Sequence, residues 1–437
     1  MVKEQIISFF QKNTVIIAAF IIAFFIYSGF INVFAKNYMF SLIDKKNISE
    51  ITGYIASNPI KTGNGKYYSC KFKLISASGY INKNHQLIKS DASGFVTVLI
   101  PSTNIEAHYP GKLFSLYDDS NLKKGILIEQ GACCKLNVRF SKEDKVKHTI
   151  PQFYVSKVYY KGFDNNLWGR ISYFRGLCRL AFKRLLFAWG DAGGLLLALL
   201  SGSSEYTNSN ISKAFKDAGL AHVLALSGMH LSFFSNFACK ISIIFGKKIE
   251  GILSFFVILL FVWFAGFTPS LFRAFISYMI MLVCRWIGVK INMLRVLALT
   301  FILHICIEPE DSIQISFLLS YGALFGILTF GKICEIFFSR FHFLSIGKNL
   351  SASIGAQITS APICISFFGK VIPGGILSSL IISPLVTFFL TCGVISIIIS
   401  FIFPFFIEPI GFILKLIYNI IAFFVQYFSF IPALEFK

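Results

Sequence analysis

A chain of 437 residues that is 55% hydrophobic and 14% charged, with a mean hydropathy of +0.69, departs from soluble globular domains, which carry about a quarter charged residues. That balance excludes an ordinary water-soluble enzyme. The formal charge of +20 argues for polyanions or anionic lipid headgroups as partners.

The first apolar run, Thr14 to Phe34, matches the roughly 20 helical residues that a hydrocarbon core of about 30 Å requires. It exceeds the apolar core of a cleavable signal, about 7 to 15 residues, so residues 1–35 read as a retained first span. Lys3 and Lys12 outnumber Glu4 in the tail before it, which keeps the tail cytoplasmic, while a long following loop can translocate despite its charge. The next region is therefore expected outside.

Residues 36–165 change character. Apolar and polar residues alternate over Tyr67–Ile75, Gly94–Ile100, Ile126–Glu129, Lys135–Phe140 and Gln152–Tyr160, with Gly, Asn, Asp and Pro between, which is the period-two pattern of strands and turns. The expectation is a small all-β domain whose size and strand count suit an oligonucleotide-binding (OB-like) barrel, although periodicity alone does not separate that from a sandwich. The domain holds 19 Lys and Arg against 10 Asp and Glu, a net of +9, which fits a polyanion. Lys66, Lys71 and Lys73 are candidate phosphate contacts, and Tyr67, Tyr68 and Phe95 candidate stacking platforms. An outward face permits a disulfide from Cys70 to Cys133 or Cys134.

Over residues 166–190, Phe174, Leu177, Ala181 and Leu185 share one helical face and Arg175, Arg179 and Lys183 the opposite one. Such a basic amphipathic helix is expected to lie along the membrane surface.

Residues 191–437 return to apolar runs: Asp191–Leu200, Ala221–Phe245, Ile252–Phe267, Leu271–Ile287, Val296–Ile307, Ile313–Phe330, Ala352–Phe368, Ile372–Phe403 and Phe405–Phe430. With the first run they give about nine or ten membrane segments, not all of them fully crossing. Acidic residues past Asn166 sit at the edges of runs or in loops, unlike the ionisable groups that ion-coupled transporters place at membrane depth. No phosphate loop, HExxH or CxxC is present and the seven histidines are dispersed, so neither a cofactor nor a metal is expected and any driving force falls to a partner.

Three passages carry polar chemistry into these runs. Gly219 to His230 holds His222, Ser227 and His230, groups that are costly to bury without partners and therefore belong in the bundle interior or a wet cavity. Ala265 to Ala274 holds Pro269 and Arg273, and an Arg at membrane depth costs at least about 2.5 to 3.5 kcal/mol unless it finds water, a partner or an anion. Gln314, Ser316, Gln357 and Pro362 add amide, hydroxyl and helix-breaking groups, and broken backbone is tolerated only where protein or water covers it.

Taken together, Leu200-Ser201-Gly202, Gly219 to His230, Gly266 to Ala274, Glu308-Pro309, Gln314 to Ser320 and Gln357 with Pro362 and Phe368-Gly369 resemble the ComEC family of competence proteins. The resemblance covers most of Leu199 to Thr387, and Leu-Ala-Leu-Ser-Gly-Met-His is its most specific element. It implies an inner-membrane channel that passes single-stranded DNA inward during natural transformation, with a separate nuclease, DNA receptor and cytoplasmic motor as partners beside the lipid bilayer. Longer members add a C-terminal metallo-β-lactamase-type domain; with Lys437 directly after the last apolar run none is expected here, and strand degradation would fall to another protein. Ser379 stands where the family tends to have Asn, five residues before Pro384.

The expected protein is thus a polytopic α-helical protein of the bacterial cytoplasmic membrane with an inserted OB-like domain facing outward. His222, Ser227, His230, Arg273, Gln314, Ser316, Gln357 and Pro362 are its candidate path residues. Two other classes compete. One is a transporter of another anionic or lipid-linked molecule. The other is an intramembrane hydrolase with Ser227 as nucleophile and His230 as base.

Overall fold

The computed structural model describes residues 2–31, 33, 39–80, 87–109, 111–115, 126–141, 150–245, 250–289, 292–339 and 344–435. The chain opens with helix α1 (Val2–Tyr27), whose Phe20 meets Phe325 edge to face. Its apolar part is Asn13–Tyr27, shorter than the expected run. Phe34, the end of that run, lies outside the described residues.

A sheet domain follows, with strands β1 (Phe40–Ser41), β2 (Ile48–Ile55), β3 (Ile60–Lys61), β4 (Tyr67–Tyr80), β5 (Leu87–Ser93), β6 (Phe95–Pro101), β7 (Cys133–Phe140) and β8 (Gln152–Gly162), and a one-turn helix α2 (Thr103–Glu106) after β6. Strand β4 is long enough to serve two neighbours on one edge. Its first half pairs with β6 and its second half with β5, while β2 runs along the other edge. From β2 the pairing continues to β7, to β8, and through one parallel pair back to β6, so five strands close a ring of pairings.

The alternation that marked the strands points one side of each inward. Tyr68, Phe72, Val96, Val98, Ile100, Ile51, Leu136 and Phe153 are fully excluded from solvent at the centre. Each such side chain stabilises the fold by about 1.5 to 3 kcal/mol relative to leaving it exposed. Two sequence expectations change here. Ile126–Glu129 is not a strand, because its alternation reflects Leu127 and Ile128 entering the core and Glu129 turning towards a following helix. Strand β2 escaped notice because bulges at Ile48/Glu50 and Thr52/Gly53 break its period.

That following helix, α3 (Leu167–Ala188), is capped by Asn166, whose side chain accepts from the Gly169 N–H at 2.7 Å. Its basic face does not meet headgroups. Arg175, Arg179, Lys183 and Arg184 are all buried, because acids and carbonyls of three other segments cover that face.

The helical part comprises α4 (Gly190–Ser201), α5 (Ser209–Asp217), α6 (Ala221–Leu224), α7 (Gly228–Phe245), α8 (Glu250–Ala265), α9 (Pro269–Ile287), α10 (Met293–Ile307) and α11 (Ile315–Gly326). Then come α12 (Lys332–Ser339), α13 (Leu344–Phe368), α14 (Gly375–Ile402) and α15 (Ile407–Ser429), with a two-residue ribbon of β9 (Lys370–Val371) and β10 (Leu434–Glu435). A π-turn over Ile327–Gly331 joins α11 to α12.

Among the described residues, five segments are long and apolar enough to cross a membrane: Pro269–Ile287, Ile315–Phe338, Gly347–Phe368, Gly375–Ile402 and Pro404–Ser429. Asn13–Tyr27, Gly190–Ser201, Glu250–Ala265 and Met293–Ile307 are apolar but shorter. One core packs α4 and α5 against α14 and α15, with the Trp189 indole N–H donating to the Ile407 carbonyl at 2.9 Å. Another joins α7, α8 and the start of α9. The run Ala221–Phe245 is not one helix: it breaks between Ala225 and Ser227, where Ala225 turns extended.

Candidate functional site

The helical part forms an open cavity of about 970 Å³. It lies among α7, α8, α9, α10 and α11, and hydroxyls of Ser227, Ser232, Ser235, Ser254, Ser270, Ser277, Ser316 and Ser320 line it together with His222, Asn236, Arg273 and Arg285. That volume is at the upper end of ligand pockets, about 300 to 1,000 Å³. Hydroxyls act as donor or acceptor as a guest demands. Glu250 also lines the cavity and lies 3.7 Å from Arg285, so Arg273 is the lining guanidinium left to replace the hydration of an anion.

Arg273 sits at the start of the second turn of α9, after Pro269, whose fixed φ suits a helix start, and after the Thr268 cap. Its Nε donates to Ser320 Oγ at 2.8 Å and its guanidinium carbon lies 6.0 Å from the centre of the Tyr321 ring. No carboxylate of the described residues forms an ion pair with it.

The break before α7 has its own chemistry. Ser227 Oγ accepts from the Met229 N–H at 3.3 Å, and the Ser227 N–H donates to His230 Nδ1 at 3.2 Å. This is a reciprocal cap in which His230 occupies the place usually taken by Glu or Gln. The Oγ to Nδ1 distance is 3.5 Å, and Nδ1 is already engaged by the backbone. The pair thus caps the start of α7, and His222, on α6, and Ser227 line the cavity.

A second cluster joins the sheet domain to the helices. Glu129, from the sheet domain, receives Arg179 Nε at 3.1 Å and Lys183 Nζ at 3.0 Å. Lys183 also reaches Glu205 at 3.1 Å, and Glu205 accepts from Ser203 and Tyr109. Gly202, at φ +68°, ends α4 in the left-handed region and turns the chain so that Ser203 and Glu205 come beneath Lys183. Burial pushes the Glu129 pKa up, but Lys183 and Arg179 outweigh it and hold the carboxyl down at about 2. Burial and the Glu205 charge together raise the Tyr109 phenol well above its ordinary value.

The same cluster takes up the end of α8. Arg175 and Arg179 donate to the Trp263 and Phe264 carbonyls, and Asn58 Nδ2 donates to the Ala265 carbonyl at 2.8 Å. Cations and amides therefore satisfy the negative end of that helix. Gly266 has φ +88°, and a Cβ there would lie 2.5 Å from Asn58 Nδ2, so the approach requires glycine.

The structure brings His222, Ser227, Arg273 and Ser316 together on the cavity and leaves the other four candidates off its lining. His230 is fully buried at the cap. Gln314 donates to Asp311 at 2.7 Å, Gln357 to the Ile372 carbonyl at 3.5 Å, and Pro362 lies exposed within α13.

On the sheet domain, Lys66 and Lys73 are exposed, and Tyr67 is half-buried against Tyr154. Tyr68 is not a surface contact. It points inward from β4, with its hydroxyl donating to Glu106 at 2.9 Å. Lys71 pairs instead with Glu310, 3.4 Å away on the helical part. Cys70, Cys133 and Cys134 are free thiols. Cys70 lies on β4, and Cys133 and Cys134 lie on β7.

Sequence reasoning missed Glu129, Glu205 and Tyr109: Glu129 follows the apolar Ile126-Leu127-Ile128, while Glu205 and Tyr109 sit among polar residues that give no signal. It also missed an exposed strip on β8 where Lys157 Nζ lies 5.1 Å from the Tyr159 ring centre, with Lys161 two residues on.

These features define a polytopic helical membrane protein that carries a basic sheet domain and holds a hydroxyl- and guanidinium-lined cavity. The chain belongs to the Competence protein family, whose model matches residues 199–437. Among curated proteins it is similar to ComE operon protein 3 of Bacillus subtilis, 24% identical over 208 residues, which are 47% of this chain and 26% of that one. It is also similar to an uncharacterized protein of Aquifex aeolicus, 28% identical over 210 residues, 48% of each chain. The match thus spans about a quarter of the first relative and half of the second. No solved structure matches it significantly.

Proposed function

We propose that this protein conducts DNA across the cytoplasmic membrane during natural transformation, with the 970 Å³ cavity as part of the route. The observation that carries this is Arg273, buried in a family-matched membrane region, lining that cavity, and without an acid to neutralise it among the described residues. A guanidinium held in this way meets a phosphate oxygen with charge-assisted hydrogen bonds. A single strand fits the reading better than a duplex, since its phosphates can be met one at a time by a narrow polar wall.

The sheet domain supports the outer half of this route. A five-stranded ring of pairings with one parallel closure supports reading this domain as OB-like, a fold that binds single strands through a face and flanking loops. Lys66, Lys73, Lys157 and Lys161 with Tyr159 give it exposed cations and one stacking ring. With this domain outside, it would receive DNA from a separate receptor and nuclease, and a cytoplasmic motor would supply the pull. No step in this reading is chemical: the capped geometry of Ser227 and His230 favours a conduit over the hydrolase alternative.

The test follows fluorescent double-stranded DNA in competent cells lacking the protein, scoring nuclease protection separately in periplasm and cytoplasm. DNA held outside the cytoplasmic membrane, with entry restored by the full chain and lost again with Arg273→Ala, is the expected result. Normal cytoplasmic entry without the chain would refute it in favour of transport of another anion.

A further inference from the structure

The 3-10 turn Pro309–Ile313, between α10 and α11, gathers contacts from α1, from the sheet domain and from its own flanking helices. From α1, the Tyr27 hydroxyl donates to the Ser312 carbonyl at 2.9 Å. From β4, Lys71 reaches Glu310 at 3.4 Å. Asp311, in the middle of the turn, faces inward. One of its oxygens accepts from Gln314 Nε2 at 2.7 Å and the other lies 3.2 Å from His304 Nε2.

His304 is fully buried, with its ring edge-on to Phe272 and at a 66° angle to Phe317, so it has little freedom to tilt. Its second nitrogen, Nδ1, lies 3.2 Å from the Tyr321 hydroxyl. In a neutral ring, a proton on Nε2 directed at Asp311 leaves Nδ1 to accept, and the Tyr321 hydroxyl must then donate. With the ring neutral, the chain of bonds runs from phenol to imidazole to carboxylate.

Arg273 stands at the open end of that chain. Its guanidinium carbon is 6.0 Å from the Tyr321 ring centre, and its Nε is tied to Ser320, the residue next to Tyr321. Among the described residues neither terminal nitrogen of Arg273 has a hydrogen bond, in a cavity that Arg273 itself lines. A phenol donating towards a carboxylate-backed imidazole carries more negative charge on its ring face, which strengthens its hold on a cation. The acid thereby acts on the arginine at two removes. It steadies the guanidinium without capturing it, as direct ion pairing would.

We propose that Asp311, His304 and Tyr321 are positioning residues that hold Arg273 with its terminal nitrogens free for one phosphate of the passing strand. This rests on the reading of the cavity as a DNA route. It adds that the Glu-Pro-Glu-Asp segment after α10 serves the site from a distance.

The test uses the full chain in lipid nanodiscs and a short fluorescein-labelled oligothymidylate, with affinity measured across a salt series. Arg273→Gln is expected to weaken binding about tenfold or more, the loss of a charged hydrogen bond. It should also flatten the slope of log affinity against log salt by about 0.7, one phosphate contact on a single strand. Asp311→Asn should reproduce both changes, and the double variant should fall no further than Arg273→Gln alone. Tyr321→Phe, which removes one oxygen and keeps the ring, decides the matter if Asp311→Asn does not accumulate in membranes. It should lower the slope in part.

A normal slope in Asp311→Asn and Tyr321→Phe, beside a reduced slope in Arg273→Gln, overturns the positioning role and leaves the DNA route standing. An unchanged slope in Arg273→Gln overturns the phosphate contact itself, and the inference with it.

Discussion

Ser227 donates its backbone N–H to Nδ1 of His230, 3.2 Å away, and in this way the third residue of α7 closes the helix end that the serine begins. The most specific polar passage of the sequence is therefore, at this spot, a device for restarting a helix inside an apolar run.

The first prediction follows from that pairing. Ser227→Ala should cost about 1 kcal/mol, the usual loss for a missing cap, and Ser227→Asp or Ser227→Asn should recover it. His230→Gln preserves the side-chain acceptor and should behave as wild type in thermal unfolding and DNA entry, while His230→Ala should not. Under the hydrolase reading His230→Gln would abolish function, so wild-type behaviour in that variant sets the two readings apart.

The joint between the sheet domain and the helices should respond strongly to loss of either charge sign. Glu129→Gln leaves Arg179 and Lys183 buried with less compensation, and removing one partner of a buried pair typically costs about 3 to 5 kcal/mol. Thermal unfolding of the full chain in nanodiscs reads this directly. A loss under 1 kcal/mol would mean that the joint is wetter than its burial indicates.

Acid should loosen the same joint. The Glu129 carboxyl is held down at about 2 from an ordinary 4.5, so its contribution to stability is fully present above about pH 4.5 and is lost as pH falls through 2. Melting temperature should therefore decline through that window. In Glu129→Gln the same window should be flatter, and an equal decline in both proteins would assign the acid sensitivity to other carboxylates.

Lys71 and Glu310 give a pair of asymmetric burial, with the lysine 37% exposed and the glutamate 4%. Lys71→Ala leaves the glutamate buried with no ion-pair partner among the described residues, at a cost of about 1 to 3 kcal/mol. Adding Glu310→Gln should return part of that loss. Limited proteolysis between the sheet domain and the helices should track the same order, and a double variant no better than Lys71→Ala would show that the pair is incidental.

Close packing of α11 on α13 rests on Gly326, where a Cβ would lie 2.1 Å from the Gly355 carbonyl oxygen and 2.2 Å from Thr359 Oγ1. Backbone cannot yield as a side chain does, so Gly326→Ala should destabilise by 1 kcal/mol at the very least, on the order of an overpacked core. Gly251→Ala, whose nearest neighbours are Trp286 and Leu282 at 3.8 and 3.9 Å, should be neutral and serves as its control. Membrane accumulation followed by thermal unfolding distinguishes them.

Much of this fold was legible in residue order because the forces that set it are local. Tyr67 to Ile75 alternates, and β4 buries every second residue over that stretch. The long apolar runs appear as the helices α9, α11, α13, α14 and α15. What stayed hidden was the identity of the covering partner. The spacing of Arg175, Arg179 and Lys183 correctly gave one helical face, but nothing near them in sequence says that Glu129 and Glu205 close over it. Tyr68 and Tyr67 differ only in the parity that decides which side of β4 they occupy. At the cavity, types such as Ser, His and Arg flagged candidates, and it took the fold to separate Arg273 and Ser316 from Gln357 and Pro362.

The last carbonyls of α8 are held by Arg175, Arg179 and Asn58, residues that precede the family-matched region. Cutting the chain at the border that composition draws would split this contact set in two. A helical fragment made alone would show water three carbonyls and the Glu205 carboxylate that cations or amides now cover, and a sheet fragment would release several guanidiniums and an ammonium. Dissection of this protein into working pieces, or exchange of its sheet domain with a relative's, should therefore carry α3 and the end of α8 together.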